Sequence, residues 1–319
     1  MQNEIAHAER VYLSAQQKSA AASSPIIASW CRCMTMHMLA PEEARGPLRL
    51  TEQEFRAVRQ QSERLIAESA EELDRLFSTV GKAGCCLLLT DRNGVALDRR
   101  GAISDDKDFR RLGLWPGSIW TEASVGTNGI GTAIADERPV AIFRDQHFLS
   151  SNIRLSCTTA PIRDHRGQIT AALDISTCRE DVNEVALAIL SQAVRDAALR
   201  IEANLFRSAF PGARFVMVPA GANPTAALLA VDKDDLILGA TRAARLALKL
   251  DDAHIAAGLP ASDALHEHRN DDGGDLVEAE RAALRRVLSR TSGNVSQAAT
   301  LLGISRATMH RKMKKLELH

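Results

Sequence analysis

Between residues 294 and 315, polar and cationic side chains recur at a spacing that suits contact with a phosphate backbone and with base edges. Asn294 and Ser305 are N-cap residue types, and Arg306, Thr308, His310, Arg311, Lys312 and Lys315 fall in the helix that Ser305 would start. Cations at the start of a helix in a major groove reach base edges, and those further along meet phosphates. A second set lies in the first half of the chain. Trp120, Glu122, Thr127, Asn128, His147, Cys157 and Asp174 combine apolar and polar groups, as the lining of a small-molecule site must. Glu122 and Asn128 have an alternative use, capping a tight loop folded by Gly126, Gly129 and Gly131. Cys157, His147 and Asp174 can also be drawn as the nucleophile, base and orienting acid of a thiol enzyme, which needs a convergence that sequence does not supply.

The six cysteines point away from metal chemistry. Cys31-x-Cys33 and Cys85-Cys86 lack the paired C-x-x-C spacing of a zinc site, so no metal or cofactor is expected. In a strand, Cys85 and Cys86 point to opposite faces, and one of them is expected in the core. The same thiols read as reduced and cytoplasmic, and a redox switch is the minor alternative.

Composition narrows the class further. The chain has 319 residues, 45% of them hydrophobic and 25% charged, with 40 Lys+Arg against 40 Asp+Glu. That predicts a globular protein of two or three domains. The longest uncharged run, residues 215–231, contains Pro219, Gly221 and Pro224, and is too short and broken to span a bilayer. The N-terminus lacks the shape of a signal peptide. The charge is unevenly placed: residues 276–319 carry nine Lys/Arg and three acids, on an acidic remainder. A basic end on an acidic body suits a nucleic-acid reader fused to something else. No aromatic residue follows Phe215, which counts against stacking on single strands and leaves a duplex as the target.

The elements that must hold these residues follow from periodicity. The first 25 residues are Ala/Gln/Ser-rich and read as helical or loose. Residues 51–79 predict one amphipathic helix with a Thr51–Glu54 capping box. Residues 85–89, 95–98, 140–143, 158–162 and 169–175 predict strands, the last two joined by a hairpin turn at 164–167. Residues 181–205 return to helical spacing, and 206–212 read as a junction broken by Pro211-Gly212. Residues 213–262 predict a small α+β module, and 263–275 a linker. Leu276–Arg290 is amphipathic. Asn294 and Ser305 would cap two further helices, Gly303 would turn between them, and Ala299, Gly303 and Met309 stand at helix-turn-helix spacing.

The segment GNVSQAATLLGISRATMHRKMKKL closely resembles the Fis-type helix-turn-helix of bacterial regulators, over Leu276–Leu318. The resemblance implies that Leu276–Arg290 helps dimerise and that 306–315 is the recognition helix. It carries Asn294, Ser305, Arg306, Thr308, His310, Arg311 and Lys312 onto DNA-contacting positions, with His310 standing where Tyr or Arg is usual. The segments SWCRC (29–33), GSIWTEASVGTNGIGTAI (117–134), HFL (147–149) and LSCTTAPIRDHRGQITAALDIS (155–176) resemble the sensor half of acetoin- and glycerol-metabolism activators (AcoR/DhaR-like). That likeness covers about 25–205 and implies a GAF domain, with Gln146 in place of the Glu usual before the His-Phe pair. Residues 213–262 resemble that family's PAS-like module more weakly.

The fold class that follows is α+β and multidomain: an N-terminal helical segment (1–50), a GAF sensor with an antiparallel sheet (51–205), a PAS-like module (213–262) and a three-helix Fis-type unit (276–319). Most relatives place a sigma-54-remodelling ATPase between sensor and DNA reader. This sequence has no G-x-x-x-x-G-K-[ST], and no ATPase domain fits between 212 and 276. The expected protein is a cytoplasmic, ligand-responsive regulator of duplex DNA, homodimeric, free of ATPase activity, acting by occupancy or contact with RNA polymerase. The effector implied by the resemblance is a small alcohol, ketone or related catabolite. The alternative is a DNA-bending or protein-interaction module whose GAF half only dimerises.

Overall fold

A computed structural model describes residues 2–16, 21–22, 24–219, 227–266, 276–291 and 293–318. The chain divides into two units, Met1–Asp164 with Gln168–Asn204, and His165–Gly167 with Leu205–His319.

In the first unit, helices α1 (Gln2–Gln16) and α2 (Pro25–Thr35) precede a two-residue strand β1 (Leu48–Arg49). Ser24 accepts from the Ile27 amide and Pro25 stands in the first turn of α2, where its missing N–H costs nothing. The N-terminal helices are not an appendage. Val11 of α1 and Trp30 and Cys33 of α2 belong to the main core.

The helix expected over 51–79 is two helices, α3 (Glu52–Gln61) and α4 (Glu63–Val80), parted at Ser62 (φ −99°, ψ 8°). The Thr51–Glu54 capping box forms as expected. The break has a packing reason. α4 buries Leu65, Leu73, Leu76 and Val80, whereas α3 buries nothing, so only α4 is held to the sheet.

Strands β2 (Cys85–Asp91) and β3 (Ala96–Arg100), helix α5 (Asp106–Arg111), strand β4 (Ser118–Ile119), and helices α6 (Glu122–Val125) and α7 (Gly129–Ala135) follow. The unit continues with β5 (Val140–Phe143), β6 (Ser156–Arg163), β7 (Ile169–Thr177) and the long helix α8 (Glu184–Ala209). The five-stranded sheet has the order β3-β2-β7-β6-β5 and is antiparallel throughout. The hairpin turn falls at the expected residues, the Asp164 amide donating to the Gln168 carbonyl at 2.8 Å.

The unbroken apolar run of β2 reflects burial on both faces. Cys86 and Leu88 face the core cluster of Phe109, Leu114, Trp120, Ile130 and Phe148. Leu87 stands in the same row as Ile175 and Thr158, and Thr158 Oγ1 donates to Ser191 on α8.

In the second unit, β8 (Arg214–Met217), β9 (Leu228–Val231) and β10 (Ile237–Ala240) form an antiparallel sheet with β9 central. Helices α9 (Arg242–Leu248), α10 (Asp252–Ala256) and α11 (Ala261–His266) complete the module. The helix expected to stop at 205 runs on to Ala209, because Phe206 is buried and stacks with Phe210 and Phe215 at 5.1 and 6.0 Å. Of the linker expected at 263–275, residues up to 266 finish α11, and 267–275 lie outside the described residues. Helices α12 (Leu276–Arg290), α13 (Val295–Leu301) and α14 (Arg306–Lys315) end the chain.

Candidate functional site

The basic end folds as its spacing requires. Leu284 of α12, Ala298 and Ala299 of α13, and Met309 of α14 form a small core with Leu316 and Leu318. The two alanines admit a close helix crossing that larger side chains would block. Asn294 caps α13, its Oδ1 accepting from the Ser296 and Gln297 amides at 3.2 Å. Ser305 caps α14, accepting from the Thr308 amide at 3.1 Å. The turn between them needs Gly303 for its backbone (φ +67°), since a Cβ there would meet no atom within 4 Å.

With Met309 buried, α14 turns Arg306, His310, Arg311, Lys314 and Lys315 outward, all exposed. Among the described residues no ion pair holds any of these five. The positive end of the helix dipole adds to the cations at Arg306. Thr308 is tied into the cap, 2.9 Å from Ser305 Oγ and accepting from Arg311 Nη2 at 3.3 Å. Lys312 faces the other way. It forms an ion pair with Glu280 of α12, which holds the Glu280 carboxyl below its ordinary pKa. Lys314 belongs to the exposed set although the spacing argument passed over it.

The seven expected lining residues of the sensor lie together in the first unit, and each is at most 4% exposed. Glu122 is the centre of one group. Its Oε1 accepts from Ser29 Oγ at 2.5 Å, Thr132 Oγ1 at 3.0 Å and Arg32 Nη2 at 2.8 Å, and its Oε2 from Arg32 Nε at 2.9 Å. Arg32 also reaches Asp136 at 2.8 Å. Thr127 Oγ1 sits 2.6 Å from Ser29 Oγ. The SWCRC segment therefore has a physical use: Ser29 and Arg32, three apart on α2, clamp the buried carboxylate. Asn128 caps α7, accepting from the Gly131 amide at 2.9 Å and donating to the Gly126 carbonyl at 2.8 Å. Trp120 donates its indole N–H to the Gly113 carbonyl at 3.0 Å.

The second group runs across the sheet. His147 Nδ1 lies 2.8 Å from the Arg144 carbonyl, which makes it the donor and leaves Nε2 an acceptor, 3.5 Å from Cys157 Sγ. Ser176 Oγ lies 3.1 Å from that sulfur and 2.5 Å from Asp174 Oδ2, and Thr159 donates to Asp174 Oδ1 at 2.5 Å. Ser176 has one proton for two neighbours. The chain closes with every donor used when Asp174 is protonated: its own O–H supplies Ser176, Ser176 supplies the sulfur, and the Cys157 thiol supplies His147. Burial acts in the same direction. It raises the Asp174 pKa to about 6 and lowers that of His147 to about 4. Burial also pushes the Cys157 thiol well up, opposite to what a thiolate nucleophile needs. Asp174 touches Ser176 and Thr159 rather than His147, so the three do not form an ordered relay.

Sequence reasoning missed the anchors on the N-terminal helices. His7 on α1 is buried, with Nδ1 2.9 Å from Ser150 Oγ and Nε2 3.0 Å from the His147 carbonyl. It ties α1 to the loop that presents His147. The polar residues within an apolar stripe were the available signal, and only the fold shows their partners.

Two segments of the chain match known families. Residues 64–201 match the GAF domain family, and residues 276–316 match the family described as bacterial regulatory protein, Fis family. The acetoin catabolism regulatory protein of Cupriavidus necator is 29% identical over 289 residues, covering 86% of this chain and 42% of that protein. The acetoin dehydrogenase operon transcriptional activator of Bacillus subtilis is 30% identical over 151 residues, covering 47% of this chain and 25% of that protein. The DNA-binding protein Fis of Glaesserella parasuis is 44% identical over 55 residues, which cover 15% of this chain and 56% of that protein. This chain thus spans less than half the length of the acetoin regulators that it matches. A crystal structure of the E. coli DhaR(N)–DhaL complex shares the fold, with a TM-score of 0.51 at 18% identity over 76% of this chain and 87% of that one.

Proposed function

We propose that this chain, a GAF domain joined to a Fis-type helix-turn-helix, is a bacterial transcriptional regulator that reads duplex DNA through α14 and answers to a small-molecule effector held by the GAF domain. The observation that carries the DNA reading is the capped, Met309-anchored α14 with five exposed basic side chains on its outer surface. Arg306 and Ser305, at the helix start, read bases; Thr308 braces Arg311; His310, Arg311, Lys314 and Lys315 meet phosphates or base edges further along. Asn294, capping α13, places that helix against the backbone. Lys312 acts first as a strut to Glu280.

The protein works as a homodimer, since two half-sites are the common geometry of such readers, and it acts by occupancy or by contact with RNA polymerase. The interval 202–275 between the two matched segments holds no phosphate-cradling G-x-x-x-x-G-K-[ST], which supports regulation without ATP hydrolysis. Among the described residues no helix is long and apolar enough to cross a membrane, in keeping with a cytoplasmic protein. The raised Cys157 thiol and the missing Asp174–His147 contact support a non-enzymatic role.

The test is capture of fragments of the source genome on the purified protein at about 0.15 M salt, where screening suppresses non-specific contacts. Enrichment of a palindromic site supports the reading. Equal recovery of all fragments, with and without added small alcohols, ketones and organic acids, refutes it.

A further inference from the structure

The expected sensor lining is saturated with its own hydrogen bonds, but one side chain on the same face of the sheet is not. Arg99 of β3 stands opposite Leu88 of β2, which stands opposite Asp174 of β7, so all three share that face. The Arg99 side chain is 9% exposed. Its Nε donates to Cys86 Sγ at 3.2 Å and its Nη1 to Asp106 at 2.7 Å. Its Nη2 is buried with no hydrogen-bond partner. The guanidinium lies 4.6 Å from the Trp115 ring and 5.5 Å from the Phe109 ring, and Arg110 stacks on Trp115 at 4.0 Å. The backbone passes directly over it at Gly101, where a Cβ would come within 2.3 Å of Nη2.

A buried N–H group without an acceptor is costly, and more so on a charged group. Arg99 is paired with one carboxylate, Asp106, and both Arg99 and Arg110 stack on the Trp115 ring. The N–H bonds of Nη2 are the donors left for a carboxylate, and Phe109, Trp115, Leu88 and Cys86 are the apolar side chains around the guanidinium. We propose that Arg99 is the anchor for the effector's carboxylate, and that the effector is a small organic acid with an apolar tail. This rests on the sensor reading above and gives that sensor a ligand class. Because the backbone at Gly101 covers Nη2, the acid enters by displacing the chain around Gly101, between β3 and the 3-10 turn at Ile103–Asp105, while Phe109 and Trp115 stay in place. Binding is thereby coupled to a movement of backbone at the sheet's edge.

The test titrates the full chain with acetate, propionate, butyrate and benzoate, each against its neutral amide, by calorimetry and tryptophan emission. DNA affinity is measured in parallel. At least one acid binds, its amide binds at least tenfold more weakly, and Arg99→Gln loses at least tenfold. Asp106→Asn, which keeps an acceptor for Nη1 but removes the competing charge, binds the acid more tightly, a gain that loss of fold cannot imitate. No binding by any of the acids, or an Asp106→Asn affinity equal to or below that of the natural chain, overturns the proposal. So does an acid that binds Arg99→Gln undiminished. Acid binding that depends on Arg99 but leaves DNA affinity unmoved retains the site and overturns the sensor reading. A DNA response to some other compound that survives in Arg99→Gln does the reverse.

Discussion

Replacing Arg32 by Met tests whether the N-terminal helices hold the first unit together. The guanidinium supplies the donor to Glu122 Oε2 and one of the three to Oε1, and it bridges to Asp136. In Arg32→Met, Oε1 keeps Ser29 and Thr132, while Oε2 loses its donor in a side chain only 4% exposed. Breaking one partner from a buried ion pair costs about 3–5 kcal/mol. The two remaining hydroxyls, and water entering where Arg32 is 29% exposed, favour the lower end, about 3 kcal/mol. That is a large part of a domain stability of about 5–15 kcal/mol. Urea unfolding followed by tryptophan emission is the assay, because Trp30, Trp115 and Trp120 all lie in the first unit. With a slope of about 2 kcal/mol per molar, the midpoint should fall by about 1.5 M. The double variant Arg32→Met/Glu122→Gln removes the stranded charge and should recover at least half of the loss. A midpoint shift under about 0.5 M for Arg32→Met, or no recovery in the double variant, would refute the argument that Glu122 is a buried charge held by α2.

Other perturbations have equally definite directions. Arg306→Ala should abolish preference for the specific site over random duplex, whereas Lys315→Ala should weaken both and lower the salt slope by about one; equal losses at both DNAs for Arg306→Ala would remove its base-reading role. Glu280→Gln should release Lys312, tightening binding to any duplex and raising the salt slope by about one; an unchanged slope would show that Lys312 does not reach the backbone. The buried pair of Asp174 and His147 makes opposite contributions to pH dependence. Asp174 titrates near 6 folded against 3.8 unfolded, so between those values the unfolded state loses a proton that the native state keeps, and stability falls as pH rises. His147 titrates near 4 folded against 6.5 unfolded, so over the same window the native state has already lost a proton that the unfolded state keeps, and stability rises with pH. The two slopes cancel in the natural chain. His147→Gln should therefore lose up to about 1.4 kcal/mol per pH unit on going from pH 4 to 6 relative to the natural chain, and Asp174→Asn should gain as much. Parallel curves of urea midpoint against pH for the three proteins would show that neither group is buried in the stated form.

Local chemistry was enough for some of this protein. The caps at Thr51, Asn294 and Ser305, the turns at 164–167 and Gly303, and the alternation of buried and exposed positions along 306–315 are decided by residues a few positions apart, so a single sequence displays them. The two family resemblances rested on such runs. Other features depended on residues far apart. Ser29 and Arg32 meet Glu122 about ninety positions on, and His7 meets the 145–150 loop across most of the first unit. A polar residue in an apolar stripe announces that it needs a partner, and only the folded chain supplies one. Ser62 divides one helical pattern in two because the sheet lies under α4 and not under α3. Lys312 and Lys315 are both lysines near the end of one helix, and the packing of α12 turns one into a strut and leaves the other facing outward. The seven side chains expected around a ligand are all buried in the first unit, and their hydrogen bonds close on neighbouring side chains, on nearby backbone and on the N-terminal helices. On the same face of the sheet, Arg99 keeps a donor open, and its place opposite Leu88 is set by strand register. Register follows from pairing between distant segments, and no local pattern contains it.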